Sequence, residues 1–185
     1  MNDISLSDLK VKRLTEDDRI NSFCSGDTDI DDYIVNKSHL FSKHRLSSNY
    51  VLISEELDDK PVAFFTLSCD RVCMSDFTTN TDFNRFKRTR FRNSKRMKGF
   101  PAIKIGRIAV ISELQGQGLG PLLIEALKCF ISSIRFIGCR FITVDAYTSR
   151  IGLYQKCGFD MLSSTEINDM SRTAQMYYDL LTITD

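Results

Sequence analysis

A cluster of glycines in the middle of the chain is the feature whose spacing points most directly to chemistry. The stretch "QGQGLGPLLIEAL" begins at Gln115 and places Gly116, Gly118 and Gly120 at alternate positions before an apolar run. Glycine at this density before a helix lets backbone N–H groups approach an anion, and the helix dipole favours negative charge there. The spacing predicts an anion-binding loop; a glycine-rich turn that binds nothing is the alternative.

Two common phosphate-binding loops do not fit this stretch. A dinucleotide fingerprint needs GxGxxG, but Pro121 stands where the third glycine belongs. A P-loop needs a lysine directly after its last glycine, and no lysine follows here before Lys128. The pattern Q/R-x-x-G-x-G/A does fit, through Gln115, Gly118 and Gly120. It resembles the pyrophosphate loop of the GCN5-related N-acetyltransferases (GNATs), which bind acetyl-CoA.

The segments on either side of the loop extend this resemblance. "IGRIAV" before it resembles the central strand of the family, and "VDAYTSRIGLYQKCGF" after it resembles the second cofactor motif. These matches lie in the family's order and cover about residues 102–160. The stretch "FCSGDTDIDDYI" (23–34) is similar to one in a narrower subgroup that includes the acetyltransferase toxins of toxin–antitoxin modules. The chain departs from that subgroup at Ser25, Ile30 and Ile34.

The resemblance implies a set of site residues. It assigns Tyr154 as the general acid that protonates the departing thiolate. It implies that the backbone of Ile108 and Val110 pairs with the pantetheine arm, and that an N–H near Ala109 or Val110 polarises the thioester carbonyl. The implied acetyl-CoA-binding residues are Ile108, Ala109, Val110, Gln115, Gly116, Gln117, Gly118, Leu119, Gly120, Pro121 and Leu122.

The implied activity is transfer of an acetyl group from acetyl-CoA to a primary amine by direct attack. Residues 102–110 contain no carboxylate to act as general base; Lys104 and Arg107 occupy that stretch, and Asp70 and Asp145 are weaker candidates elsewhere. A site without a base favours an α-amine (pKa ≈ 7.7) over a lysine ε-amine (≈ 10.4), because the α-amine is partly neutral already. A toxin-like enzyme acetylating the α-amine of aminoacyl-tRNA is therefore one alternative, and a non-catalytic acetyl-CoA sensor is another.

A basic segment precedes the central strand. Eight Lys or Arg residues and no acid lie between Phe83 and Phe100, so the rest of a chain with net charge +1 is acidic. Alternation in "FKRTRFR" predicts cations on one face and Phe83, Phe86 and Phe91 on the other. Contact with RNA phosphates is one interpretation; a solvated surface or a patch for an acidic partner is the alternative. The candidate substrate-binding cations are Arg88, Arg90, Arg92 and Lys95.

The 185 residues predict one domain, 1–185, with a basic insertion at about 75–100. Apolar periodicity gives the order β-α-β-β-(insertion)-β-α-β-α-β, including a helix at 119–134 behind the glycine loop. Asp27 or Thr28 is expected to cap the first helix, and Gly158 to end a short later one. The predicted fold class is α+β, a mixed, mostly antiparallel central sheet flanked by helices, as in the GNAT (acyl-CoA N-acyltransferase) fold.

The composition of the chain limits where the protein is expected to reside and what it is expected to bind. No run of eighteen apolar residues occurs, and the N-terminus lacks the features of a signal peptide. The six cysteines are scattered and only His39 and His44 could join them, so no metal site is expected. A cytoplasmic protein that contacts no membrane is predicted. The expected partners are acetyl-CoA and an amine acceptor, which an RNA could carry, with an antitoxin or a second copy of the chain as candidate protein partners.

Overall fold

The computed structural model describes residues 9–91, 96–134, 136–162 and 173–182. The strands in this part of the chain are β1 (Leu9–Leu14), β2 (Ser48–Ser54), β3 (Lys60–Cys73), β4 (Gly99–Val110), β5 (Phe141–Tyr147), β6 (Asp160–Met161) and β7 (Thr173–Asp179). The α-helices are α1 (Thr28–Asp32), α2 (Ser38–Lys43), α3 (Asn80–Arg90), α4 (Leu119–Ser133) and α5 (Ile151–Lys156). Short 3₁₀ turns lie at Glu55–Leu57, Met74–Asp76, Ser112–Leu114, Thr148–Arg150 and Leu180–Thr182, and a π-helical turn, Tyr33–Lys37, joins α1 to α2.

The strands form a seven-stranded sheet in the order β1-β2-β3-β4-β5-β7-β6. The pairs β1–β2, β2–β3, β5–β7 and β6–β7 are antiparallel. Together with the helices, this sheet confirms the predicted α+β class. The described residues cluster into two compact units; the boundary between them falls within β3, after Ser68, and within β4, after Lys104.

The first unit contains the residues up to Ser68 and Ile105–Leu127. Its predicted β2–β3 hairpin is confirmed, with Val51 opposite Phe64 and a register shift near Leu52. Asp27 caps α1 as predicted, because its side chain accepts hydrogen bonds from the N–H groups of Asp29 and Ile30.

The second unit contains Cys69–Lys104 and the residues from Lys128 onwards. Its core is largely aromatic: Phe86 of α3 packs against Phe141 of β5 and Tyr177 of β7, with ring centroids 5.4 and 5.3 Å apart. Gly158 follows α5 with a φ of +80°, which confirms that a glycine ends this helix.

Two elements of the second unit were not expected from the sequence. The interval 75–100, predicted as an insertion without an assigned structure, contains α3. Thr79 begins this helix by accepting a hydrogen bond from the N–H of Asp82, and Phe83 and Phe86 lie one turn apart on its buried face. The two-residue strand β6 is too short to produce an alternating pattern. The single-domain organisation stays a prediction.

Candidate functional site

The glycine loop lies in the first unit, between the end of β4 and the start of α4. Gly116 and Gly118 have φ angles of +79° and +81°, a region that side-chain-bearing residues rarely adopt. A Cβ atom built on Gly116, Gly118 or Gly120 would meet nothing within 4 Å. The loop is exposed, and the first N–H groups of a helix have no intrahelical partners. The loop can therefore accept an anionic group against its backbone.

Gln115 anchors this loop to the rest of the first unit. Its side-chain amide donates hydrogen bonds to the carbonyl oxygens of Ser25 (2.7 Å) and Val110 (2.8 Å). Next to it, the N–H of Ser112 donates to the carbonyl of Cys24 (2.8 Å). The Gln115 side-chain amide thus holds the loop in place, and the segment around Ser25 supports it.

The conformation of Gly118 leads to the first prediction. Gly118→Ala should lower the free energy of unfolding by about 1–2 kcal/mol, because a Cβ is strained at this φ although it has room. Gly120→Ala is the matched control, since its φ lies outside the left-handed region and its Cβ also meets nothing; it should be neutral or slightly stabilising. Urea denaturation measures both variants. Equal losses in the two would contradict this account.

The strand segment predicted to bind the cofactor is the end of β4, directly before the loop. Ala109 and Val110 are buried and Ile108 is half-buried. Just beyond the strand, the N–H of Ile111 donates to the carbonyl of Val62 at 3.0 Å, which ties the start of the loop to β3. The side chains therefore contribute to the core, and only the backbone of Ile108–Val110 is left for the predicted role.

Tyr154 lies in the second unit, on α5. It is 5% exposed, and its ring meets that of Phe159 edge to face at 5.4 Å. Burial, reinforced by Cys157 and opposed by Arg150, raises the pKa of Tyr154 to about 12. The phenol is therefore protonated at neutral pH and is available as a hydrogen-bond donor.

A residue that the sequence analysis did not single out holds the end of α5. The Lys128 ammonium, buried in α4, donates to the carbonyl of Cys157 at 3.0 Å and lies 4.2 Å from the ring centroid of Tyr178. A cation at a helix C-terminus stabilises the free carbonyl groups there. The sequence feature that could have identified Lys128 is its position within the apolar face of α4, where a lysine is unusual unless its charge has a partner.

The cations of α3 are divided between its faces, which corrects the predicted alternation. Because the segment is a helix, Lys87 is buried, with its ammonium 4.9 Å from the ring centroid of Phe83. Arg90 is half-buried: its guanidinium lies 4.2 Å from the ring centroid of Phe86 and donates to the Tyr177 hydroxyl at 2.5 Å. Arg88 is exposed, whereas Arg92 and Lys95 lie outside the described residues.

Both weak candidates for a general base have partners in the second unit. Asp145 pairs with the ammonium of Lys104 at 2.5 Å. Asp70 accepts a hydrogen bond from the Thr143 hydroxyl at 2.5 Å. Each carboxylate therefore already has a local structural interaction.

The described residues contain no group of three or more His, Cys, Asp or Glu side chains that could hold a metal ion. Of the helices that the structure describes, none combines the length and apolar character needed to cross a membrane.

Comparisons with known proteins place this geometry in context. The profile of the acetyltransferase (GNAT) domain matches residues 49–161. No curated protein matches the sequence. Among solved structures, AtaT complexed with acetyl-methionyl-tRNAfMet superposes with a TM-score of 0.73 at 18% identity, covering 95% of this chain and 97% of that one.

Two further structures show the same likeness. AtaTR bound with acetyl-CoA gives a TM-score of 0.71 at 19% identity, over 96% of both chains. A tyrosine-to-phenylalanine mutant of KacT gives 0.72 at 16% identity, over 95% of this chain and 96% of that one. At identities this low, the likeness to these structures establishes the fold.

Proposed function

The chain belongs to the GNAT acetyltransferase family, and from this premise we propose that it transfers the acetyl group of acetyl-CoA to a primary amine, which attacks the thioester directly. The observation that carries the proposal is the exposed glycine loop before α4, where Gly116 and Gly118 have left-handed φ angles. Open space at their Cβ positions fits a pyrophosphate against the backbone. Acetyl-CoA supplies an activated acyl thioester.

The backbone of the first unit orients the bound thioester in this proposal. The N–H and carbonyl groups of Ile108 and Val110 hold the pantetheine arm, and a main-chain N–H near Ala109 or Val110 donates to the carbonyl oxygen. An N–H aimed at developing negative charge is worth several kcal/mol in a site that excludes water. The amides from about Gln117 to Leu122 hold the pyrophosphate; Pro121 costs little there because a first-turn N–H has no intrahelical partner.

Tyr154 is the proposed general acid. The acceptor amine forms the new N–C bond and loses a proton, while the C–S bond breaks and the thiolate gains one. With the pKa of Tyr154 raised to about 12, full transfer to a thiolate of conjugate-acid pKa ≈ 8.5 is uphill by about 5 kcal/mol. The phenol therefore acts mainly by donating a hydrogen bond as the thiolate departs. The proton lost by the amine equals in number the one that the thiolate gains, so the reaction has no net proton change.

The proposed acceptor is the α-amine of an aminoacyl-tRNA, as in a toxin. Three observations support this substrate: residues 102–110 contain no carboxylate, Asp145 is paired with Lys104, and α3 exposes Arg88. AtaT, whose fold this chain shares, was solved with acetyl-methionyl-tRNAfMet. Arg90 is a weaker phosphate ligand because Tyr177 already accepts its hydrogen bond. By analogy with AtaT bound to the C-terminus of the antitoxin AtaR, an antitoxin is the proposed protein partner.

A panel of acceptors tests the proposal. Labelled acetyl-CoA is incubated with total aminoacyl-tRNA, with deacylated tRNA as its matched control, and with peptides carrying either a free α-amine or only a lysine ε-amine. Aminoacyl-tRNA should be acetylated, and α-amines should react at least tenfold faster than ε-amines at pH 7.5, because the ε-amine is almost wholly protonated there. A preference for ε-amines would overturn the acceptor assignment, and binding of acetyl-CoA without turnover would favour a sensor.

A further inference from the structure

Arg107, on β4 in the first unit, is a half-buried cation that has no acidic partner among the described residues. Its guanidinium lies over the ring of Tyr33, 3.6 Å from the centroid. Within the described part of the chain, no carboxylate comes within ion-pair distance of Arg107, and its guanidinium donates no hydrogen bond. Arg90 and Arg140, which are also half-buried, both pair with Asp179. Arg107 is thus the exception among these three.

The ring beneath Arg107 is held rigidly. Tyr33 is 1% exposed, and its hydroxyl interacts with the Ser47 hydroxyl at 3.2 Å and donates to the Asn49 side-chain oxygen at 3.4 Å. The rings of Phe41 and Phe64 meet it edge to face at 5.1 and 6.2 Å. Because packing on its sides and hydrogen bonds at its hydroxyl fix the ring, it does not move with the guanidinium and provides a rigid surface on which the guanidinium stacks.

The backbone at Arg107 is held as well. Its N–H donates to the Thr66 hydroxyl at 3.0 Å. At Gly106, a Cβ would lie only 2.7 Å from that hydroxyl oxygen, so any side chain there would displace it. Gly106 and Thr66 together set where β4 presents the arginine.

A guanidinium stacked on an aromatic face keeps its planar N–H edge free. That edge matches the two oxygens of a phosphate or carboxylate and can bind them bidentately. Partial burial without an anion costs free energy, since the charge loses solvation and gains only the cation–π contact. The arrangement is therefore that of a preorganised anion site.

The position of Arg107 on β4 indicates which anion it meets. It precedes Ala109 by two residues, which places the two residues about 7 Å apart along the strand. We propose that Arg107 binds an anionic group of the acceptor, close to the amine. This inference rests on the proposed function, which assigns the backbone near Ala109 to the thioester. The anion is a phosphate of an aminoacyl-nucleotide end or the carboxylate of a free amino acid.

Direct binding measurements test this inference without requiring turnover. Titration calorimetry in the presence of CoA compares three ligands built on phenylalanine: an amide-linked phenylalanyl-adenosine 5′-phosphate, free phenylalanine, and phenylalanine amide, which lacks the anion. Arg107→Gln should weaken binding of the anionic ligand by about 10- to 100-fold and leave the amide within twofold, as expected for lost charge-assisted hydrogen bonds. Arg107→Lys should recover part of the loss.

The controls separate the outcomes. Arg13→Gln removes an exposed arginine from β1 of the same unit and should change none of the three affinities. Tighter binding of the phosphate ligand by the wild type identifies the nucleotide end; tighter binding of free phenylalanine identifies the carboxylate. Equal affinities of wild type and Arg107→Gln for every ligand, or a loss that includes the neutral amide, would overturn the inference. The proposed function is judged separately, by turnover in the acceptor panel.

Discussion

Tyr154→Phe should lower kcat by about 10²- to 10⁴-fold, the range in which a positioned proton donor contributes. Phenylalanine keeps the ring that packs against Phe159, so the fold and the affinity for acetyl-CoA should be unchanged. What the variant loses is the hydroxyl that donates to the leaving thiolate. Steady-state kinetics gives kcat, and equilibrium binding of acetyl-CoA gives the affinity. Tyr178→Phe is the matched control: it also removes a buried phenol of the second unit, and it should leave kcat within about twofold.

The pH dependence of kcat/KM provides a second readout for Tyr154. The rate should rise with pH as the acceptor amine loses its proton. Because the pKa of Tyr154 is raised to about 12, the phenol keeps its proton and no alkaline fall should occur below about pH 11. Tyr154→Phe should scale the profile down without moving its rising limb. An unchanged kcat in the variant, or a wild-type alkaline fall near pH 9, would contradict the assignment of Tyr154 as donor.

Asp179→Ala should lower the free energy of unfolding by about 3–5 kcal/mol, the cost of removing one partner from a buried ion pair. The carboxylate side chain is 12% exposed and accepts two hydrogen bonds from Arg140, at 2.8 and 2.9 Å. Arg90 approaches the same carboxylate at 3.7 Å. Without it, two half-buried guanidinium groups face each other with no anion between them. Urea denaturation, followed by the signals of the aromatic residues, measures the loss.

Asp145→Ala is the matched control for Asp179→Ala. Asp145 likewise forms an ion pair, but with one cation, Lys104, and both side chains are more exposed, so its loss should cost no more than about 1 kcal/mol. Combining Asp179→Leu with Arg140→Met should restore part of the stability, since the variant then leaves less charge uncompensated. A loss below 1 kcal/mol for Asp179→Ala would show that solvent compensates both arginines.

Much of the fold follows from local patterns. The helix predicted at 119–134 is α4, Leu119–Ser133, because its apolar spacing continues over four turns. The short helix before Gly158 and the hairpin of β2 and β3 follow equally from local signals. At α3 the alternation of cations and phenylalanines predicted two faces, but no secondary structure was assigned to the segment. The same residues also fit a helix, in which Phe83 and Phe86 lie one turn apart. Only the packing of these rings on Phe100 and Phe141 distinguishes the helix from an alternating segment.

The glycine loop, the strand before it and the family resemblance could all be predicted from the sequence. Their signals lie within a few residues of one another, and a left-handed φ at Gly116 and Gly118 is a requirement of the local backbone. Which arginines are already paired with a carboxylate could be read only from the folded chain. Arg90 pairs with Asp179, whereas Arg107 lies on the ring of Tyr33 and meets no carboxylate in the part of the chain that the structure describes; each of these partners is distant in the sequence. Charge is visible in a sequence, but its neutralisation depends on which distant side chains folding brings within a few ångströms.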